Sequence, residues 1–265
     1  MTPFTMGRTN PASRLLRALL PPAFWLGAWQ LCAWLVELHV EGRGNELLLP
    51  YPATVALALA GLAGQPAFWA AVAASLLRIL AGLAAGVLLG AGLAALTCAS
   101  PWCSRLLAPA VRVIRATPVA SFILLVLLWT GRGTVPAVIS ALMVLPVVWE
   151  NLSRGIRAAD QQLLELARAY RFSRGKTVRL IYLPSLRPYF LSALTTSMGL
   201  AWKSGVAAEV LCWPRPGIGT QIYNSKLYLE IPELFAWTAV VVALSLLLER
   251  LLRWLVEHRS RGVSV

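Results

Sequence analysis

Arg78, Lys203 and Glu209 are charged residues that stand inside apolar stretches of this chain. Ionised side chains in an apolar medium are costly, and they usually face a cavity, a partner or an aqueous path. Lys203 has the chemistry to hold an anion, and Glu209 has the chemistry to accept hydrogen bonds. The two lie six residues apart in Trp202-Lys203-Ser204-Gly205-Val206-Ala207-Ala208-Glu209. At ~100° per residue that is roughly 600° of helix rotation, so they point in different directions and form no local pair. Lys203, Trp202, Glu209 and Arg78 are therefore candidate contacts along a path through the chain. The competing readings are structural: snorkelling for Lys203, an interfacial acceptor for Glu209 and an anchor near a helix start for Arg78.

Other chemistry is not visible. Cys32, Cys98, Cys103 and Cys212 form no CxxC pair, and His39 and His258 are far apart. Metal binding is therefore not expected. No Ser, His, Cys or paired-carboxylate constellation suggests catalysis, and no cofactor is implied. The phosphate-cradling pattern G-x-x-x-x-G-K-[ST] does not occur, so the chain carries no nucleotide-hydrolysing loop of that kind. It is not expected to be an enzyme.

The elements that must position these residues are set by composition. Hydrophobic residues make up 58% of the 265, and charged residues only 13%. Soluble domains carry about 25% charged residues, so the chain reads as one polytopic, all-helical membrane domain. Six apolar runs can be drawn: 19–40, 69–97, 117–130, 135–149, 188–212 and 234–255. The third and fourth are shorter than the ~20 residues that cross ~30 Å of hydrocarbon. Gly131-Arg132-Gly133 between them marks a turn, giving two helices joined tightly. The first run is too long for a secretory signal core and is read as a retained helix. Residues 47–64 carry Pro50 and Pro52 and are read as an interfacial helix. Small residues, Gly82, Gly86 and Gly90 among them, allow close helix packing. Trp25, Trp69, Trp149 and Trp254 fall near run ends, where indole anchors at the interface.

The net charge of +13 is spread through the gaps between runs rather than gathered in one patch, which argues against nucleic-acid binding. In the six-helix reading, eighteen Lys and Arg fall on one side and four, Arg43, Arg132, Arg215 and Lys226, on the other. The positive-inside rule then places both termini in the cytoplasm. The expected organisation is a cytoplasmic tail at 1–18, a membrane domain at 19–257 and a cytoplasmic tail at 258–265. Its longest cytoplasmic connection is 151–187. There, Leu163, Leu166, Ala167 and Tyr170 recur at helical spacing, and Asp160 is a cap for that helix. Ser173-Arg174-Gly175 breaks it, and Pro184 marks the end of a second short helix. The pair could lie on anionic lipid or dock a cytoplasmic partner.

This connection resembles the EAA loop of ATP-binding-cassette importer permeases. Glu165-Leu166-Ala167, three residues, Arg171, nine residues and Ile181-Tyr182-Leu183-Pro184 follow that loop's spacing at every element. Leu166 stands in place of the middle Ala and Arg171 in place of Gly, with Gly175 offering a turn nearby. Ser75-Leu76-x-Arg78-x-Leu80-x-Gly82, Arg115-Ala116-Thr117-Pro118, Ala208-Glu209 and Gly217-Ile218-Gly219 are similar to the nitrate/sulfonate/taurine-type permeases.

The resemblance implies a type I importer permease of the bacterial inner membrane, working as a homodimer. Each copy would dock a separate ATPase subunit through Glu165, Leu166, Ala167, Arg168, Tyr170, Arg171 and Gly175. An extracytoplasmic binding protein would deliver a small oxyanion such as a sulfonate, taurine or nitrate. A pyrimidine or other vitamin-precursor heterocycle is the alternative substrate, and an ATP-independent secondary transporter is the alternative mechanism.

Overall fold

The computed structural model describes residues 11–40 and 47–261. The first ten residues of the expected N-terminal tail, Arg43, and 262–265 of the expected C-terminal tail lie outside the described residues. The described residues form helices and no strand. They group into two compact units, residues 1–64 with 224–237, and residues 65–223 with 238–265.

The first unit contains α1 (Pro11–His39) and α2 (Pro52–Ala63). Helix α1 takes in the first expected span and begins within the expected tail. The Trp29 indole N–H donates to the Pro50 carbonyl at 3.1 Å and its ring stacks on Phe235 at 5.8 Å. The Tyr51 hydroxyl donates to the Glu37 carboxylate. Proline at the first turn of α2 presets the helical φ where its missing N–H costs nothing. At 12 residues α2 is about 18 Å long, too short to cross a bilayer.

The second unit holds α3 (Pro66–Ala99), α4 (Pro101–Ala116), α5 (Val119–Trp129) and α6 (Val135–Arg157). Next come α7 (Gln161–Ala169), α8 (Arg174–Thr177), a π-helical stretch Val178–Tyr182, and α9 (Leu183–Cys212). Helices α10 (Ile218–Leu227) and α11 (Ile231–Arg261) complete the chain. Length and apolar composition select four spans, Leu19–His39, α3, α6 and Ile231–Leu255, against the six expected. The expected third run forms α5, and it does not extend back into α4: the two helices meet at Thr117-Pro118 with a 109° bend and count as one further span at most. Proline at 118 removes a donor and pushes Thr117 out of the helical region, which forces the break. Helix α9 has 30 residues, ample to cross, but it is not apolar enough to be selected.

Helices α3, α6 and α9 form the centre of this unit. Gly82, Gly86 and Gly90 recur every fourth residue and lie on one face of α3. A Cβ at Gly82 would sit 2.2 Å from the Ala137 carbonyl oxygen. At Gly86 it would sit 2.7 Å from the Ala141 oxygen, and at Gly90 2.8 Å from the Leu145 oxygen. The backbones of α3 and α6 therefore touch along three successive turns. In lipid this contact is the means of association, because no hydrophobic gain separates helix from acyl chain. The Ser140 hydroxyl donates to the Ala201 carbonyl at 3.0 Å and ties α6 to α9. At the other end of α3, the Trp149 indole N–H donates to the Thr97 hydroxyl at 2.9 Å. Trp149, read from sequence as an interfacial anchor, thus joins α6 to α3.

The expected boundary at Pro184 is not a break. Residues 174–212 are helical without interruption. Pro184 falls in the first turn of α9, immediately after the π-helical stretch. The proline's missing donor coincides with the π-helical stretch, where the regular i→i−4 ladder is already interrupted.

Replacing Gly86 by Ala is expected to lower the thermal midpoint of the detergent-solubilised chain, by the equivalent of about 1–3 kcal/mol of overpacking. Gly92→Ala, in the same helix but with open space at its Cβ, is expected to leave the midpoint unchanged or raise it. Equal effects at both positions would refute the backbone contact.

Candidate functional site

The loop expected to dock a partner is built from its caps inward. The Asp160 carboxylate accepts the Gln162 N–H at 2.8 Å and starts α7. Its end is a left-handed turn. Phe172 N–H donates to the Ala167 carbonyl at 2.8 Å and Arg171 N–H to Arg168 at 3.0 Å, with Arg171 at φ 51°. This is the Schellman arrangement, in which the left-handed position normally holds glycine. The turn is thus at Arg171 itself and not at Gly175, which sits in α8 with open space around it. Ala167 is buried with Ala159 and Ile181, and Phe172 packs on them. Those contacts bind α7 to the π-helical stretch as one body. Glu165, Leu166, Arg168, Tyr170 and Arg171 are exposed, whereas Ala167 belongs to the loop's interior.

A second cluster lies inside the bundle. The Glu209 carboxylate is fully buried. It accepts the Ser75 hydroxyl at 2.6 Å, the Gly219 N–H at 3.1 Å and the Arg78 guanidinium at 3.3 Å. Arg78 also donates to the Pro216 carbonyl at 2.6 Å, and the Ser75 hydroxyl accepts the Ile218 N–H at 2.9 Å. Gly219 lies so close to Glu209 that a Cβ there would meet the Glu209 Cβ at 2.4 Å. A buried carboxylate is tolerated when a cation and several donors satisfy it. Arg78 sits about three turns into α3 and pairs with Glu209 of α9.

A third feature is an open cleft of about 470 Å³. Thr195, Thr196, Gly199 and Lys203 line it from α9, and Glu249 and Arg253 line it from α11. Positions 196, 199 and 203 are spaced by three and four, so they share one helix face. The Arg253 guanidinium is 3.9 Å from the Glu249 carboxylate. Trp202, adjacent to Lys203, points the other way: it is buried and donates its indole N–H to the Val241 carbonyl at 3.0 Å. The four path candidates thus separate into Lys203 at the cleft, Trp202 within the packing between α9 and α11, and Arg78 with Glu209 in the buried cluster. Sequence reasoning missed the partners Ser75, Pro216, Ile218 and Gly219, and the cleft residues Thr196 and Glu249. The spacing of Thr196, Gly199 and Lys203 was the available signal for the cleft.

A family model described as "Binding-protein-dependent transport system inner membrane component" matches residues 82–264. The chain belongs to this family. It is similar to the taurine transport system permease protein of Escherichia coli (strain K12), at 29% identity over 216 residues, covering 79% of this chain and 78% of that protein. It is also similar to a putative aliphatic sulfonates transport permease protein of Bacillus subtilis (strain 168), at 26% identity, covering 91% of this chain and 85% of the relative. A bicarbonate transport system permease protein of Synechococcus elongatus (strain ATCC 33912 / PCC 7942 / FACHB-805) is 27% identical, covering 83% of this chain and 77% of that protein. The fold matches a solved structure described as an amino acid ABC transporter with histidines, with a TM-score of 0.62 and 20% identity. That match covers 76% of this chain and 97% of the other. The chain is an all-α, multi-pass membrane permease of an ATP-binding-cassette importer. Its expected ATPase and solute-binding protein are those of the family.

Two substitutions test this geometry. Arg78→Ala leaves the Glu209 carboxylate buried without its cation and is expected to destabilise the chain by about 3–5 kcal/mol, read as a fall in thermal midpoint. Arg171→Gly removes a left-handed strain of roughly 1–2 kcal/mol. It is expected to slow amide hydrogen exchange across residues 161–177.

Proposed function

We propose that this permease carries a small oxyanion, an organosulfonate foremost, along the face of α9 that bears Lys203. The observation that supports this most is the polarity of α9. It is long enough to span the membrane, yet it presents the exposed Thr196 and Lys203 on one face, with the half-buried Gly199 between them. Such a face is unfavourable against lipid and suits an aqueous path. Two cations, Lys203 and Arg253, line the cleft and favour an anion over a neutral heterocycle. The Glu249 carboxylate beside them offers a place for an ammonium group, which an aminosulfonate such as taurine carries. Relatives named for taurine, aliphatic sulfonates and bicarbonate point to the same ligand class.

The remaining parts of the reading follow from the same chemistry. A second copy of the chain covers the polar face and completes the path. Residues 161–177 grip a separate ATPase subunit through Glu165, Leu166, Arg168, Tyr170 and Arg171, with Ala167 shaping that surface from within and Gly175 leaving room beside it in α8. The charge bias puts this loop and both termini in the cytoplasm. An extracytoplasmic binding protein delivers the solute to the opposite side. The chain supplies no hydrolytic chemistry of its own.

In the reconstituted complex, Lys203→Ala is expected to reduce sulfonate uptake roughly tenfold, the worth of one charged hydrogen bond, while the ATPase subunit still co-purifies. Leu166→Glu is expected to have the converse signature, with loss of the co-purified ATPase. Full uptake by Lys203→Ala would remove the α9 face from the path. Retention of the ATPase by Leu166→Glu would remove α7 from the docking surface.

A further inference from the structure

Helix α4 carries three arginines and no carboxylate. The Ser100 hydroxyl accepts the Cys103 N–H at 3.4 Å and starts the helix, with Pro101 in its first turn. One side packs into the bundle, where Ala108 and Val111 are buried. Away from that side, Trp102, Leu106, Pro109 and Val113 recur at spacings of four, three and four, so they form one stripe. Trp102, Leu106 and Val113 are 71%, 60% and 63% exposed. Arg105 and Arg112 are seven residues apart and therefore aligned, roughly 60–80° round the helix from the stripe. Among the described residues Arg105 has no ion pair or hydrogen bond. Arg112 has only an Nε–H contact to the Ala108 carbonyl of its own helix at 3.4 Å, which engages neither terminal nitrogen.

The helix runs across the bundle, not along it. Just before it, the Trp149 indole N–H donates to the Thr97 hydroxyl at 2.9 Å, and the Cys98 thiol donates to the Ser153 carbonyl at 3.9 Å. At its other end, the Arg115 guanidinium pairs with the Glu150 carboxylate at 2.6 Å. Residues 149–153 occupy about 6 Å of the α6 axis, whereas the 16 residues of α4 extend about 24 Å. Tied at both ends to so short a length of α6, α4 lies crosswise to it. The 109° bend between α4 and the apolar α5 is likewise close to a right angle. Since α6 is selected as a span, crosswise means along the membrane plane. The same end of α6 leads into residues 158–177, so α4 and the docking loop share one end of the bundle.

We propose that α4 lies in the headgroup layer of that leaflet and binds an anionic lipid surface. Its Trp102–Val113 stripe enters the acyl boundary, and Arg105 and Arg112 meet lipid phosphates beside it. A helix with an apolar stripe, an indole on it and cations alongside is suited to the interface plane. Each cation there is drawn to an anionic leaflet. In water the same stripe would be an exposed apolar patch. A second copy meeting it across a two-fold axis would bring the same arginines against each other, and like charges repel. The surface assigned to the ATPase is on α7, not here. Seated in this way, α4 sets the depth of the α6 end through Arg115 and Glu150, next to the docking loop. That this leaflet is the cytoplasmic one rests on the orientation proposed above; the contact with lipid does not.

The test uses the full chain with its ATPase partner, in nanodiscs of equal phosphatidylcholine and phosphatidylglycerol. The photoreactive residue p-benzoylphenylalanine replaces Leu106 in one variant and Val113 in another. Mass spectrometry identifies what each captures on irradiation. Both are expected to capture lipid, with phosphatidylglycerol in excess over phosphatidylcholine. Adding Arg105→Gln with Arg112→Gln is expected to lower that excess, by up to roughly fivefold per arginine. Arg105→Lys with Arg112→Lys is expected to keep most of it, because the charges remain. Capture of the ATPase or a second copy in place of lipid would overturn the proposal. So would failure to capture lipid at both positions, the mark of a stripe facing water. An undiminished excess in the double glutamine variant would also overturn it, as would equal loss in the glutamine and lysine pairs, since neither outcome follows from charge. Both leaflets of the nanodisc hold the same lipids, so the adducts form whichever way the chain is oriented. They are read without transport, so a failed substrate assignment leaves the result standing. Side-specific labelling of Gly175→Cys checks the orientation separately.

Discussion

A fully buried carboxylate determines how the second unit is held together. Glu209 has no water to solvate it, so its charge must be met by donors from other parts of the chain. Arg78 and Ser75 come from α3, and the Gly219 N–H comes from the first turn of α10. Each donor is needed because an unmet buried charge costs far more than a paired one returns. The cluster therefore ties together α3, α9 and the start of α10. It also explains a local sequence requirement: only glycine at 219 lets the backbone approach Glu209 closely enough to donate.

The glycine contact between α3 and α6 performs the complementary task. It supplies attraction where hydrophobic burial cannot, through backbone proximity over successive turns. Ser140 then joins α6 to α9 by a hydroxyl–carbonyl bond. Helices α3, α6 and α9 thus form a trio with mutually defined register. The amphipathic loop 161–177 packs on the start of this helical stretch through Ala167, Ile181 and Phe172. The family match gives the permease role, and this frame, with one polar helix face and an exposed basic loop, is the architecture that would serve it.

Much of this was legible in the sequence, and the limits have physical causes. The apolar runs, the Asp160 cap, the spacing of Glu165, Ala167 and Ile181, and the family were all readable, because each depends on local pattern. The pairing of Arg78 with Glu209 was not, since their contact spans 131 residues and no local periodicity encodes it. Pro184 was misread as a stop because the π-helical stretch that accommodates it leaves no signature in the local pattern. Arg171 was readable as an oddity at a glycine position, but only the Schellman hydrogen bonds show that it adopts the left-handed backbone itself. The six-span count is not confirmed by length and apolar composition at α9 and at α4–α5, for opposite reasons. Helix α9 is long but too polar, whereas α5 is apolar but only 11 residues long.

The helical stretch from 174 to 212 contains no coil residue. At 1.5 Å per residue it extends about 58 Å, comparable to the full depth of a bilayer with its headgroups. Its near end carries Ile181, seated against the docking loop, and its far end carries Glu209, clasped by α3. With no coil residue between these ends, the places where the stretch can bend are the π-helical residues 178–182 and the prolines Pro184 and Pro188. Any hinge along it is thereby confined to one end, leaving the residues from 189 to Glu209 as a single unbroken arm.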